Sequence, residues 1–283
     1  MEIPFRLVDV FTDRPLAGNQ LCVVPDAPPG MEASLMQALA REIGFSETTF
    51  VSEAAGDRYA MRIFTPGSEM PFAGHPTLGT VFVLASESRI TSPATQVVPA
   101  GEFRVEANVE AGRARLLVEG VELGPELHDD DRIARSIGLD AGDVDGSLRP
   151  RTVSTGNAHL IVALRDADAV VRSAPDNTTL VPLLRELDAG GIYLFAWTGK
   201  AEVKARMFAP DIGVMEDPAT GSAAGQLGGY LGDAGAADGH LLIRQGTEVE
   251  RPSELHLEIL PGGQVWVEGG VAVVGRGTFE LPD

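Results

Sequence analysis

The chain has 283 residues, of which 44% are hydrophobic, and a formal net charge of −19. Its length is typical of about two domains, and its charge disfavours nucleic acid and anionic membranes as partners. The single cysteine, Cys22, excludes an internal disulfide and a cysteine-rich metal site. We find neither a signal-peptide pattern nor an apolar run of the roughly 18 residues that a membrane helix needs. We therefore expect a cytoplasmic protein.

The first half of the sequence predicts several strands and two helices. The helix at 31–43 shows apolar residues at helical spacing and is ended by Gly44. A second helix is predicted directly after Pro76. The predicted elements are helices at 31–43 and 77–85 and strands at 5–11, 45–51, 59–64, 102–108 and 112–119.

Residues 120–150 are rich in Asp, Glu and Gly and form the best candidate for a domain junction. Beyond them the pattern predicts strands at 160–164 and 192–197 and helices at 178–188 and 221–231. The sequence thus predicts an α+β fold with one central helix in each half. We assign residues 1–125 to the first domain and 126–283 to the second, with a final strand free to return to the first domain.

One pattern occurs twice. Residues 62–66 read RIFTP and are followed by FAGHPT at 72–77, while residues 206–210 read RMFAP and are followed by EDPATGS at 216–222. In each copy a strand-like segment ends in Phe-x-Pro, and a loop then leads into an apolar helix. This repetition predicts two related halves.

The first loop points to a binding site at the start of a helix. Proline is favoured at the first helical position, which would place the free amides of the first turn near Gly74 and His75. Gly74 would let a ligand approach the backbone, and His75 could donate a hydrogen bond to a carboxylate. A local cap with a structural histidine is the alternative. The matched second copy favours the binding site.

In the second loop, the amides of Gly221 and Ser222, together with the Ser222 hydroxyl, could hold a carboxylate. Asp217 could accept a hydrogen bond from a substrate amine or hydroxyl. The alternative is that Asp217 is the N-cap of an ordinary helix.

Glu47 lies in the strand-like stretch FSETTFV at 45–51. Strand periodicity would place Glu47 on one face with Thr49. A carboxylate among apolar neighbours has a raised pKa, in the range useful for proton transfer. An edge strand with Glu47 in water is the alternative, and composition does not choose between the two.

Other polar residues give weaker signals. Asn19, in the turn Gly18-Asn19-Gln20, could line a pocket, although an ordinary turn is the favoured interpretation. His159 fits either a core or a pocket position. The sequence contains no nucleotide-binding loop, nucleophile elbow or metal-ligand spacing, so we expect no cofactor and no metal.

Five stretches together resemble the PhzF-like family of phenazine-biosynthesis isomerases. They lie in both halves and in the family's order, so the resemblance covers essentially the whole chain. One departure is Gln20, where the family usually has proline. The stretches are VDVFT at 8–12, GNQ at 18–20, GFSETTF at 44–50, FAGHPT at 72–77 and EDPATGS at 216–222.

The resemblance implies the diaminopimelate-epimerase-like fold. In that fold, two pseudosymmetric domains each wrap a curved, mostly antiparallel sheet around a central helix, with the active site in the cleft between them. It also implies a homodimer. Related epimerases use two cysteines as acid and base, but Gly74 and Asp217 stand where those thiols would be expected. Since the chain has only Cys22, a two-thiol epimerase is excluded.

The resemblance further implies a cofactor-independent isomerase in which Glu47 moves a proton between two carbons of a small cyclic amino acid. His75 and Asp217 would position the polar groups of the substrate, and Gly221 and Ser222 would hold its carboxylate. The substrate of the phenazine pathway is trans-2,3-dihydro-3-hydroxyanthranilate. The alternatives are a non-catalytic protein that binds a small carboxylate on the same scaffold, and an epimerase that lacks the cysteine pair.

Overall fold

The computed structural model describes residues 1–281 and divides into two compact units. Unit 1 comprises Met1–Leu117 together with the described residues from Glu268 onward, and unit 2 comprises Val118–Val267. Both units combine many strands with few helices, so the predicted α+β class is confirmed. Whether residues 1–125 and 126–283 behave as separate domains in solution stays a prediction.

Unit 1 contains two helices, α1 (Ala33–Ile43) and α2 (Gly74–Ser86). The last strand of the chain, β17 (Val265–Glu280), lies mostly in this unit. The other strands are β1 (Glu2–Val10), β2 (Asn19–Val24), β3 (Glu47–Ala55), β4 (Arg58–Phe64), β5 (Glu69–Met70), β6 (Ala94–Val98), β7 (Gly101–Asn108) and β8 (Arg113–Val118).

Eight of these strands pair in a closed ring. Starting from β1, the order is β1, β2, β3, β4, β6, β7, β8 and β17, and β17 pairs back with β1. The pairs β2–β3 and β4–β6 are parallel. Helix α2 packs against β1, β2, β3, β6 and β7 and is buried from Gly74 to Leu84. A helix enclosed in this way must be apolar on all sides, as the sequence of α2 is.

Helix α1 covers the other side of the sheet with one apolar face. Met36 and Leu39 are buried there against Phe50 and Phe64, whose rings meet edge to face at 5.6 Å. Gly44 follows the helix in the left-handed conformation, with φ 70°, and its N–H donates to the carbonyl of Ala40. Gly44 is therefore confirmed as the residue that ends this helix.

Unit 2 contains four α-helices among the described residues, and the last of them, α6 (Gly221–Asp233), is the most buried. The other helices are α3 (Asp130–Ser136), α4 (Ala167–Arg172) and α5 (Asn177–Glu186). The strands are β9 (Glu122–Glu126), β10 (Arg151–Ser154), β11 (Ala158–Ala163), β12 (Gly191–Gly199), β13 (Glu202–Ala209), β14 (Val214–Asp217), β15 (Gly239–Gln245) and β16 (Ser253–Ile259).

The strands of unit 2 pair in the order β9, β10, β11, β12, β13, β15 and β16, and β14 pairs with β13. The pairs β11–β12 and β13–β15 are parallel. The series from β10 to β16 therefore repeats the series from β1 to β7 in unit 1, including both parallel pairs. Each series places a buried helix, α2 or α6, after a short strand.

The repeated sequence pattern forms the same contacts in both units. In unit 1, the Arg62 guanidinium donates two hydrogen bonds to the Glu69 carboxylate, at 2.7 and 2.6 Å. In unit 2, Arg206 binds Glu216 in the same bidentate way, at 2.9 and 2.7 Å. Each guanidinium also lies over the phenylalanine ring two residues further on, at 5.1 and 4.7 Å. The fork of two hydrogen bonds fixes β5 on β4 and β14 on β13.

None of the helices in the described part of the chain combines the length and apolar character required to cross a membrane.

Candidate active site

Glu47 begins β3, a strand that is paired on both sides. Its neighbour on β2 is Leu21, and β4 pairs along the other edge. On the same face of β3, the Thr49 hydroxyl lies 2.9 Å from the Thr80 hydroxyl of the buried helix α2. Since alternate residues of a strand share a face, Glu47 is directed to the side of α2. The edge-strand alternative for Glu47 is therefore wrong.

The Glu47 carboxylate lies beside the first turn of α2. Its Oε2 is 3.4 Å from Nε2 of His75, and the two side chains are 14% and 5% exposed. Burial raises the pKa of the Glu47 carboxyl from 4.5 to about 7, and a hydrogen bond with Ser46 offsets part of that rise. A carboxyl group with this pKa can both accept and donate a proton near neutral pH.

Helix α2 begins at Gly74, three residues before the predicted start at Thr77, and Pro76 is its third residue. Proline is tolerated there because the amides of the first turn have no partner within the helix. Ala73 is the N-cap, and its methyl side chain makes no capping hydrogen bond. Proline therefore stands two positions later than expected, and binding of an anion by the amides of Gly74 and His75 stays a prediction.

Asn19 begins β2 and is buried, with 2% of its surface exposed. Its Oδ1 accepts a hydrogen bond of 3.3 Å from the hydroxyl of Ser46. Ser46 in turn precedes Glu47 and is bonded to its carboxyl group. Unit 1 therefore brings the predicted residues Asn19, Glu47, Gly74 and His75 to one end of α2.

The second loop lies in unit 2. Asp217 is the last residue of β14, and α6 begins at Gly221 with Thr220 as its N-cap. The Thr220 hydroxyl donates a hydrogen bond of 2.5 Å to Oδ2 of Asp217. Asp217 is therefore not the N-cap of α6, and its role in binding a substrate stays a prediction. The Thr220 side chain does not cap the helix, and binding of a carboxylate by the amides of Gly221 and Ser222 stays a prediction.

His159 is a core residue. It is 3% exposed, and its Nδ1 lies 2.7 Å from Oε1 of Gln226 on α6. Burial lowers the pKa of His159, so the ring is neutral at pH 7. Gln226 also donates to the carbonyl of Asn157 at 2.6 Å. Of the two positions that the sequence left open for His159, core or pocket, the structure shows the core position.

Sequence reasoning missed three polar residues that contact the predicted ones. Ser46 bridges Asn19 and Glu47, Thr220 binds Asp217, and Gln245 binds the loop that carries Asp217. Ser46 and Thr220 stood inside motifs that were already recognised. Gln245 gave no local signal, since it lies 28 residues beyond Asp217.

A groove among the described residues of unit 2 contains none of the predicted site residues. It encloses about 770 Å³ and is lined by Gly229, Gly232 and Asp233, at the C-terminal end of α6. Gly221 and Ser222 lie at the opposite end of the helix. The candidate site is therefore defined by its chemistry and not by cavity size.

A model of the family described as phenazine biosynthesis-like proteins matches residues 8–279. The chain belongs to the phenazine biosynthesis-like family. It is 33% identical over 287 residues to a protein of Pseudomonas chlororaphis named trans-2,3-dihydro-3-hydroxyanthranilate isomerase, covering 98% of this chain and 99% of that protein. The predicted family is thereby confirmed, and the chain is classed as an isomerase.

Two solved structures have the same fold. A protein of Pseudomonas aeruginosa, described as a predicted epimerase, superposes with a TM-score of 0.87 at 31% identity, covering 99% of this chain and 100% of that one. A probable proline racemase from Agrobacterium radiobacter superposes with a TM-score of 0.67 at 12% identity, over 99% and 93% of the two chains. The second likeness shows that the phenazine biosynthesis-like fold is epimerase-like.

Proposed function

We propose that this protein is a cofactor-independent isomerase that moves a proton within a small cyclic amino or hydroxy carboxylic acid. The observation that carries the proposal is Glu47, whose largely buried carboxyl has a pKa of about 7 beside His75 and the start of α2. A site that only binds an anion gains nothing from a protein carboxylate beside it. A side chain that transfers protons near neutral pH, in contrast, needs a pKa near 7.

In the proposed reaction, the ionised Glu47 carboxylate removes a proton from one ring carbon, and the electron pair of that C–H bond moves into the conjugated system. Protonated Glu47 then returns the proton to a second carbon, which restores the carboxylate and leaves the composition of the substrate unchanged. A positioned acid–base group of this kind contributes roughly 10²–10⁴-fold to the rate. A pair of thiols is not available for the two steps, because the chain has a single cysteine, Cys22, which is buried.

The remaining predicted residues bind the substrate. His75 and Asp217 position its amine or hydroxyl, and the amides of Gly221 and Ser222 hold its carboxylate. Asn19 and Gly74 complete the surroundings of Glu47. The proposal requires the substrate to contact residues of two pseudosymmetric domains across a cleft, which a crystal structure with bound 3-hydroxyanthranilate would test.

Trans-2,3-dihydro-3-hydroxyanthranilate is the first substrate to test, because a relative covered over 99% of its length is named for it. Ultraviolet absorption would follow its loss with the wild type, Glu47→Gln and Glu53→Gln. Glu53 lies on the same strand but is exposed, so Glu53→Gln is the matched control. Loss of absorption with wild type and Glu53→Gln, but not with Glu47→Gln, is the expected result.

Full activity of Glu47→Gln would overturn the assigned acid–base role. If the wild type leaves this substrate unchanged, deuterium uptake from solvent into other small cyclic acids tests the reaction class. Ligand binding without deuterium uptake at any carbon would favour the non-catalytic carboxylate-binding alternative. Loss of optical rotation of an amino acid would favour an epimerase.

We also propose a homodimer. Light scattering should then give a mass twice that of the 29.8 kDa chain. A mass of one chain would exclude the dimer at that concentration.

A further inference from the structure

Each unit contains a chain of hydrogen bonds that joins a buried tyrosine, a glutamine and a threonine at the start of its buried helix. In unit 1, the Tyr59 hydroxyl donates to Oε1 of Gln96 at 2.8 Å, and Nε2 of Gln96 donates to the Thr77 hydroxyl at 3.0 Å. All three residues are at most 1% exposed. The Thr77 hydroxyl then donates to the backbone carbonyl of Ala73 at 2.8 Å.

In unit 2, the Tyr193 hydroxyl donates to Oε1 of Gln245 at 2.9 Å, and Nε2 of Gln245 donates to the Thr220 hydroxyl at 3.1 Å. Tyr193 and Gln245 are at most 1% exposed. The last link differs from that in unit 1, since the Thr220 hydroxyl donates to the carboxylate of Asp217 at 2.5 Å. The hydrogen-bond chain of unit 1 therefore ends on a backbone carbonyl, and that of unit 2 ends on a carboxylate of the candidate site.

In the hydrogen-bond chain of unit 2, chemistry determines which atom is the donor and which is the acceptor in every bond. Nε2 of Gln245 also donates to the backbone carbonyl of Asp217 at 2.8 Å, and a carbonyl can only accept. Both amide hydrogens of Gln245 are therefore used, and its Oε1 must accept from Tyr193. The Thr220 oxygen accepts from Gln245, so its single hydrogen is available for Asp217.

The Tyr193 hydroxyl remains a donor well above neutral pH. Burial, together with the negative charge of Asp217, raises the pKa of the Tyr193 phenol far above its ordinary value. The phenol therefore stays protonated and keeps donating to Gln245. A hydrogen bond to an ionised acceptor, such as the one from Thr220 to Asp217, is stronger than a neutral one.

We infer that Thr220 is a positioning residue that fixes the orientation of the Asp217 carboxylate, and that Gln245 and Tyr193 hold Thr220 for this task. The inference rests on the proposed function, in which Asp217 binds a polar group of the substrate. Its geometric part concerns unit 2 alone and can be tested without a substrate.

The test compares Thr220→Val, which keeps the shape of the side chain but removes the hydroxyl, with Thr220→Ser, which keeps the hydroxyl. We expect Thr220→Val to raise KM about tenfold, which corresponds to the loss of one hydrogen bond to a charged group, with a smaller change in kcat. Thr220→Ser should restore KM to within about twofold of the wild type. Thr77→Val, which cuts the equivalent bond to Ala73, controls for lost stability in thermal unfolding.

Crystal structures of the wild type and Thr220→Val supply the readout that does not depend on activity. We expect the Asp217 carboxylate to leave its wild-type position in Thr220→Val and to return to it in Thr220→Ser. An unmoved carboxylate would overturn the positioning role, whatever the kinetics. A displaced carboxylate with unchanged KM would leave the positioning role standing and remove Asp217 from substrate binding. Should the wild type catalyse no proton exchange at all, the proposed function fails, while the crystal structures still decide the role of Thr220.

Discussion

Oε2 of Glu47 lies 3.4 Å from Nε2 of His75, and both side chains are largely buried. Burial penalises the charged form of the Glu47 carboxyl and raises its pKa from 4.5 to about 7. Both the stability and the activity of the protein should depend on pH through this carboxyl.

Stability should fall as pH rises through neutrality, owing to Glu47. The pKa of its carboxyl is about 7 in the folded protein against 4.5 as the reference value, so folding favours the protonated form. Its stabilising contribution is fully present below pH 4.5 and is lost as pH rises through 7. We expect the unfolding free energy of the wild type, relative to Glu47→Gln, to fall by roughly 3 kcal/mol between about pH 4 and pH 8. Chemical denaturation at several pH values measures this difference, and a constant difference would contradict the raised pKa.

Activity should show the opposite dependence on pH, because the reaction begins with the ionised carboxylate. We expect kcat/KM to rise with pH along a limb with an apparent pKa near 7, the value of the buried Glu47 carboxyl. Initial rates at low substrate concentration between about pH 5 and pH 9 measure the limb. Glu53→Gln should keep the same limb, and a limb near the ordinary pKa of glutamate would exclude Glu47 as the titrating base.

The two equivalent arginines should contribute unequally to stability. Arg206 and Glu216 are only 10% and 12% exposed, and Arg206 also donates to the carbonyl of Ser173 at 2.7 Å. Arg206→Met leaves Glu216 buried without its partner and should cost about 3–5 kcal/mol. Arg62 and its partner are about a third exposed, so Arg62→Met should cost about 1 kcal/mol or less. Urea unfolding of both variants measures the difference, and equal costs would contradict the role assigned to burial.

Gly229 of α6 permits close packing and should not tolerate alanine. A Cβ atom at this position would lie 2.7–2.9 Å from three carbon atoms of Val121. These include Cβ of Val121, so rotation of the valine side chain cannot relieve the overlap. We expect Gly229→Ala to destabilise the protein by about 1–3 kcal/mol, despite the higher helix propensity of alanine. Gly142→Ala, which meets nothing within 4 Å, is the control, and a stable Gly229→Ala would show that the helix can shift.

The sequence predicted those parts of the site that depend on local patterns. Strand alternation placed Glu47 and Thr49 on one face, and the contact between Thr49 and Thr80 identifies that face as the inner one. The repeated motif predicted both helix starts, with α6 beginning at Gly221 as expected and α2 three residues early. Helix α2 starts earlier than predicted because a proline near the N-terminus of a helix does not determine which residue is the first of that helix.

The parts that could not be predicted depend on contacts between distant residues. Gln96 and Gln245 reach the threonines only because β6 and β15 lie parallel to β4 and β13, and single-sequence patterns do not specify strand pairing. His159 is assigned to the core by Gln226, 67 residues further along the chain. A polar residue on a strand can face a core partner, a pocket or water, and its own sequence neighbours do not distinguish these environments.

The ring of strands in unit 1 has a consequence for synthesis of the protein. Strand β17 closes this ring by pairing with both β1 and β8, yet it follows the other strands of the ring in the sequence. Unit 2 is encoded by the uninterrupted stretch Val118–Val267. On the ribosome, the β17-facing edges of β1 and β8 therefore stay unpaired while all of unit 2 is translated, and exposed strand edges favour aggregation. Unit 1 therefore exposes two strand edges until β17 has been synthesised.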